Sequence, residues 1–214
     1  MQRVLLLGDS IRLFYDEEVK KELGTGYEVF GPEENCRFSK YVLNSIRFWL
    51  TEYAHPDIIH WNAGLWDTAI LYPEDGCFTD VEEYVDTMKK ILRELQKTGA
   101  KIIFSTTTPV SEDKKDWPGP MPPAHDNNDI IRYNQAILNA FKEEDVLICD
   151  LHSCMYAEKE KYLGEDKIHP NEEGCKLLAK AVAAKIRNVG DYKNSLTREI
   201  DHAEFIKTEQ KTLQ

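Results

Sequence analysis

Five short runs of mostly apolar residues, with almost no polar alternation inside them, constrain this chain more than any other feature. They are Val4-Leu5-Leu6-Leu7, Tyr27-Glu28-Val29-Phe30, Ile58-Ile59-His60-Trp61, Lys101-Ile102-Ile103-Phe104 and Val146-Leu147-Ile148-Cys149. A strand with one wet face alternates apolar and polar side chains, whereas a near-continuous apolar run belongs to a parallel sheet buried on both faces. Each run stops at residues that turn or cap the chain: Gly8-Asp9-Ser10, Gly31-Pro32, Asn62-Ala63-Gly64, a Ser/Thr cluster before Pro109, and Asp150. Between them lie segments that can be helical: Ile11 to Glu22, as the stretch a cap at Asp9 or Ser10 would start, then the amphipathic spans Phe38 to Tyr53, Val81 to Lys97, Ile130 to Phe141 and Asn171 to Arg187. Gly99 suits the C-terminal cap of the Val81 to Lys97 span. This alternation predicts an α/β chain of βαβ units, a doubly wound parallel sheet with helices on both faces and functional loops at the carboxyl ends of its strands.

Residues 1–189 read as one domain. The span Asp116 to Asn128 carries four prolines and reads as an irregular lid or rim loop. The polar stretch 190–214, with sparse apolar residues such as Leu196, Ile200, Phe205 and Ile206, reads either as a late helix docking on a neighbour or as a frayed tail. Through such docking it is the expected site of any homo-oligomer.

With 42% hydrophobic and 30% charged residues, the chain is neither disordered nor fibrous, and at 214 residues it can bury a single large core unaided. A net charge of -11 repels phosphate backbones and anionic lipid heads, so nucleic acid and membrane are not expected partners. A small-molecule substrate is. The five cysteines are scattered, odd in number and form no Cys-x-x-Cys pair, which argues against a disulfide framework or a structural zinc site. Val4 to Leu7 is too short for a signal-peptide core, and no stretch approaches the ~20 apolar residues of a membrane span, so a soluble, cytoplasmic chain is expected.

Three places could carry chemistry. Ser10 ends the first strand, where open α/β sheets bind ligands, although Asp9 and Ser10 also make ordinary helix caps. Asp166-Lys167-Ile168-His169-Pro170 can form a general-base unit in which the carboxylate fixes the imidazole tautomer; the alternative is a surface turn before a helix capped by Asn171. Asn62, just after the third strand, can offer a carboxamide N–H to a developing oxyanion, or simply turn the chain.

Taken in this order, Gly8-Asp9-Ser10, the Asn62 to Asp67 block and Asp166-x-x-His169-Pro170 resemble the SGNH (GDSL-type) hydrolase superfamily over residues 3 to about 187. The resemblance implies a three-layer α/β/α sandwich on a five-stranded, parallel, flavodoxin-like sheet. It further implies Ser10 as nucleophile, His169 as base and Asp166 as its partner, with no cofactor and no metal. The oxyanion hole would combine the Ser10 backbone N–H, a second-block N–H and a third-block Asn. Two departures matter. Arg37 stands where the second-block Gly would lie if Asn35 matches the Asn that often precedes it. In Gly64-Leu65-Trp66-Asp67 the family's Asn position is Trp66, so the donor role is assigned to Asn62 by its chemistry. Asn134, in Arg132-Tyr133-Asn134-Gln135-Ala136, matches a family Asn that is more structural than catalytic.

Asp9, Trp66 and Trp117 are expected at the substrate, since aromatic faces suit sugar rings or acyl chains. Cys36 and His60 read as packed core residues. The resulting expectation is a serine esterase acting on short acyl esters, foremost O-acetyl groups on carbohydrates. Its rivals are a lysophospholipase or acyl-CoA thioesterase, and a non-catalytic small-ligand module. A Ser10–His169 hydrogen bond separates the enzyme from the module.

Overall fold

The computed structural model describes residues 1–72, 74–112 and 124–189. In chain order the elements are β1 (Gln2–Leu7), α1 (Ser10–Leu23), β2 (Tyr27–Phe30), α2 (Ser39–Glu52), β3 (Ile58–Trp61), α3 (Val81–Gln96), β4 (Lys101–Ser105), α4 (Asn127–Ala140), β5 (Leu147–Cys149), α5 (Leu151–Tyr156), α6 (Lys159–Tyr162) and a final helix, α7, over 172–189. The strands pair in parallel in the order β2-β1-β3-β4-β5. The five anticipated strands and the flavodoxin-like order are present.

Side-chain parity along the strands divides the core into two layers. Val4, Leu6, Ile58 and Ile103 face α1 and α7, packing on Ile11, Tyr15, Val19, Leu178, Val182 and Ile186. Leu5, Leu7, Ile59, Trp61, Ile102 and Phe104 point the other way, onto Val42, Ile46, Trp49, Met88, Ile91 and Ile137 of α2, α3 and α4. Apolar runs without alternation are therefore what this three-layer sandwich requires, because successive side chains of one strand enter different cores.

β1 has β2 on one side and β3 on the other, so the chain reverses its winding direction between β1 and β3. The crevice outside their carboxyl ends is where ligands bind in such sheets, and Ser10 and Asn62 follow these two strands.

The irregular span expected over Asp116 to Asn128 ends sooner than its prolines suggest. Ala124 forms a bridge with Ile70, and α4 already begins at Asn127, capped by the Asp126 side chain, which accepts from the Asn128 N–H at 2.8 Å. The rest of that span lies outside the described residues, as do Trp117 and the tail 190–214. Two short helices, α5 and α6, were not anticipated, because six and four residues are too few for a periodic signal. All five cysteines are free thiols, and no helix among the described residues is long and apolar enough to cross a membrane.

Candidate active site

Asp9 caps α1, its Oδ1 accepting from the Ile11 N–H at 3.0 Å, which makes Ser10 the first residue of that helix. The backbone N–H groups of a first helical turn have no intrahelical acceptor, and the aligned peptide dipoles leave partial positive charge there. The Ser10 hydroxyl thus sits where negative charge is favoured.

Asp166 builds the other half. Its Oδ1 accepts from the backbone N–H groups of Ile168 and His169, at 3.0 and 2.9 Å, while its Oδ2 lies 2.5 Å from His169 Nδ1. Lys167, between them, has φ 62°, the tight left-handed turn that lets one carboxylate hold both the backbone and the ring of a residue three positions on. Partial burial alone would raise the Asp166 pKa, but the hydrogen bonds from His169 and Ile168 outweigh it and hold the carboxylate below its ordinary range. His169 Nε2 then reaches Ser10 Oγ at 2.7 Å, across 159 positions of sequence. Phe14, one turn beyond Ser10 on α1, stacks on the His169 ring with centroids 4.6 Å apart and planes 14° from parallel. Sequence reasoning missed Phe14, although its i+4 spacing from Ser10 was the available signal.

The third-block residue arrives by sheet extension. The Asn62 N–H donates to Leu7 O at 3.1 Å, continuing the β1–β3 pairing by one residue and bringing the carboxamide against Gly8. A Cβ on Gly8 would lie 1.9 Å from Asn62 Oδ1, so only glycine permits this approach. Asn62 Nδ2 donates to Asp9 Oδ1 at 3.2 Å, and its second N–H is a further donor.

Two expectations change in place. Asp9 was expected at the substrate; it is wholly buried, bound to the helix start and to Asn62, and so lies out of a substrate's reach. Arg37, with φ 54°, has its N–H already donated to Asn35 Oδ1 at 2.8 Å, so that N–H does not stand ready for an oxyanion. Trp66 remains 39% exposed on the turn after β3. The neighbouring Asp67 turns inward and accepts from the Ser39 N–H at 2.9 Å and the Ser39 hydroxyl at 2.6 Å, tying this turn to the start of α2. Cys36 is buried, and burial pushes its thiol up to about 11. Asn134 is structural: its carboxamide accepts from the Thr107 N–H and donates to Thr107 O, both at 2.9 Å. Asn127 does the same for Val110, at 3.0 and 2.8 Å, a second clamp the sequence did not suggest. Among the described residues no group of three or more His, Cys, Asp or Glu is placed to hold a metal ion.

No curated protein matches the sequence. Solved structures share its fold at low identity. The acetyl xylan esterase AlAXEase is 18% identical, with a TM-score of 0.66 over 85% of this chain and 98% of that one. A lipase/acylhydrolase from Enterococcus faecalis is 16% identical, with a TM-score of 0.73 over 88% and 96%. A catalytic mutant of Axe2, an acetylxylan esterase from Geobacillus stearothermophilus, is 19% identical, with a TM-score of 0.68 over 86% and 94%. The family described as GDSL-like Lipase/Acylhydrolase matches residues 40–177, a span that holds Asn62, Asp166 and His169 and begins well after Ser10. With well over half its length matched, and with the helix-start serine and the histidine–carboxylate pair joined as described, the chain belongs to the GDSL-like lipase/acylhydrolase family and is an ester-hydrolysing enzyme.

Proposed function

We propose that this enzyme is a serine esterase that removes short acyl groups, foremost O-acetyl groups carried by carbohydrates, through an acyl-enzyme on Ser10. The observation that carries this reading is the unbroken line from Ser10 Oγ to His169 Nε2 at 2.7 Å and from His169 Nδ1 to Asp166 Oδ2 at 2.5 Å. As Oγ attacks the ester carbonyl, His169 Nε2 takes its proton, and Asp166 stabilises the imidazolium. The negative charge that develops on the carbonyl oxygen is met by the Ser10 backbone N–H and the second N–H of Asn62. Collapse of this intermediate breaks the ester C–O bond, His169 protonates the departing alcohol, and the acyl group stays on Ser10. Water, deprotonated by His169, then attacks the acyl carbonyl; the bond from that carbon to Ser10 Oγ breaks, His169 returns the proton to Oγ, and the acid leaves.

The choice of acetyl and carbohydrate is supported by two acetyl xylan esterases among the solved structures with this fold, and by exposed Trp66, whose ring face suits a sugar. The test is kcat/KM on p-nitrophenyl acetate, butyrate and octanoate, beside acetate release from acetylated xylan and mass spectrometry of Ser10 during turnover. Acetate esters turned over fastest, xylan acetate released and a Ser10 acyl adduct are the expected results. Preference for octanoate would move the assignment to a lipase, and turnover without a Ser10 adduct would remove the acyl-enzyme.

A further inference from the structure

We propose that Asp9 is a positioning residue for ester hydrolysis: it never meets the substrate, but pins the Asn62 carboxamide so that its free N–H stays aimed at the developing oxyanion. The inference rests on the reading of Ser10 as nucleophile and Asn62 as donor.

One oxygen of Asp9 holds two distant parts of the site. Oδ1 accepts from the Ile11 N–H at 3.0 Å and from Asn62 Nδ2 at 3.2 Å. The first bond locks the carboxylate to the helix turn that carries the nucleophile. The second locks to it a side chain from the end of another strand, 53 positions away. The two amide hydrogens of Asn62 lie in one plane at a fixed angle, so anchoring one sets the direction of the other. Without the anchor, the terminal torsion of an Asn is broad and the donor direction is poorly defined.

The opposite side of the carboxamide supplies no alternative restraint. Asn62 Oδ1 is buried with no hydrogen-bond partner among the described residues, lying against Gly8. Asp9 Oδ2 is likewise buried and unpartnered. A wholly buried carboxylate with one empty oxygen is a poor choice if capping α1 were its whole task, because serine caps a helix equally well and carries no charge to desolvate. Burial raises the Asp9 pKa to about 6, with the Asn62 and Ile11 hydrogen bonds and the charges of His169 and Arg12 pulling it back. The carboxylate is retained against that desolvation, and the second contact it makes is the one to Asn62.

The test is a double-mutant cycle read in kcat and KM on p-nitrophenyl acetate at pH 8, where Asp9 is ionised. Asn62→Ala is expected to lower kcat about 10²-fold to 10³-fold, the loss typical of one oxyanion donor. Asp9→Ser keeps a capping oxygen but cannot span to Asn62, so kcat is expected to fall roughly 10-fold to 100-fold, with KM within twofold. Asp9→Thr, a second short capping residue, should repeat this result if the serine variant folds poorly. Asp9→Asn keeps an acceptor in place and should recover most of the loss, leaving about a threefold deficit. In the Asn62→Ala background, Asp9→Ser should add less than twofold, because its effect passes through Asn62. Losses that multiply, or a rise in KM in place of a fall in kcat, would overturn the positioning role while leaving Asn62 as donor. An Asn62→Ala enzyme within threefold of the parent would overturn the donor reading, and this inference with it.

Discussion

Ser10 Oγ stands 2.7 Å from His169 Nε2 at the mouth of the sheet, and inside the core Ser105 Oγ stands 2.6 Å from His60 Nε2. By residue type and distance the two pairs are nearly the same. They differ at the far nitrogen and in their access to water. His169 Nδ1 has Asp166 beside it, and a quarter of its side chain is exposed. His60 is wholly buried with no partner on Nδ1 among the described residues; burial, and secondarily the charge of Arg12, push its pKa down to about 3. Burial so disfavours the His60 imidazolium that the ring is a poor base for a serine's proton, and a buried serine meets no ester. A serine–histidine contact therefore becomes a catalytic pair only when a carboxylate backs the imidazole and a substrate can approach the hydroxyl.

The sharpest way to break this contrast is to remove each serine in turn. Ser10→Ala should lower kcat on p-nitrophenyl acetate by the order of 10⁶ without unfolding the protein. Ser105→Ala should keep kcat within about threefold and instead lower stability by about 1–2 kcal/mol, as His60 loses its partner; thermal denaturation checks it. A large rate loss from Ser105→Ala would erase the distinction between the pairs. Asp166→Asn, which deprives His169 of what His60 already lacks, should cost about 10⁴ in kcat. For the oxyanion, Asn62→Ala should lower kcat more than Trp66→Phe does, and the reverse order would transfer the donor role to the indole. Phe14→Ala frees one face of the His169 ring; a stacking contact of ~0.5–1.5 kcal/mol corresponds to a fall in kcat of roughly threefold to tenfold, with KM nearly constant.

A further effect is on stability and leaves the rate comparison aside. The Asp9 pKa rises from 3.8 to about 6 on folding, so the native state holds this proton more tightly than the unfolded chain. Its contribution is then complete below about pH 4 and lost as pH rises through about 6. Asp9→Asn does not titrate, so the melting temperature of the variant relative to the parent should climb between pH 4 and pH 7, by up to about 3 kcal/mol in stability. A difference independent of pH would place the Asp9 pKa near its unfolded value.

Most of the architecture was legible because it is local. Val4 to Leu7 is apolar at every position, and Tyr84, Met88, Ile91 and Leu95 recur at helical spacing, so strand and helix could be read without knowing their partners. The last helix was legible at its start, where Asn171 Oδ1 accepts from the Gly174 N–H at 3.0 Å. The start of α4 was not, since its cap, Asp126 accepting from the Asn128 N–H, lies within three residues of a run holding four prolines, whose turn signal masked it.

The sequence by itself determined the parallel sheet and the placing of a serine after its first strand and an Asp-x-x-His before its last helix, because hydrophobic period and motif spacing act over a few residues. The tertiary structure decided which groups meet. It joined Ser10 to His169, seated Phe14 on the imidazole, engaged the Arg37 N–H with Asn35, buried Asp9 away from substrate and turned it toward Asn62. Each of these depends on the direction in which a side chain or an N–H finally points. Those directions are set by packing and hydrogen bonds that, for His169 and Asn62, reach across 159 and 53 positions of chain, and no local pattern encodes contacts at that range.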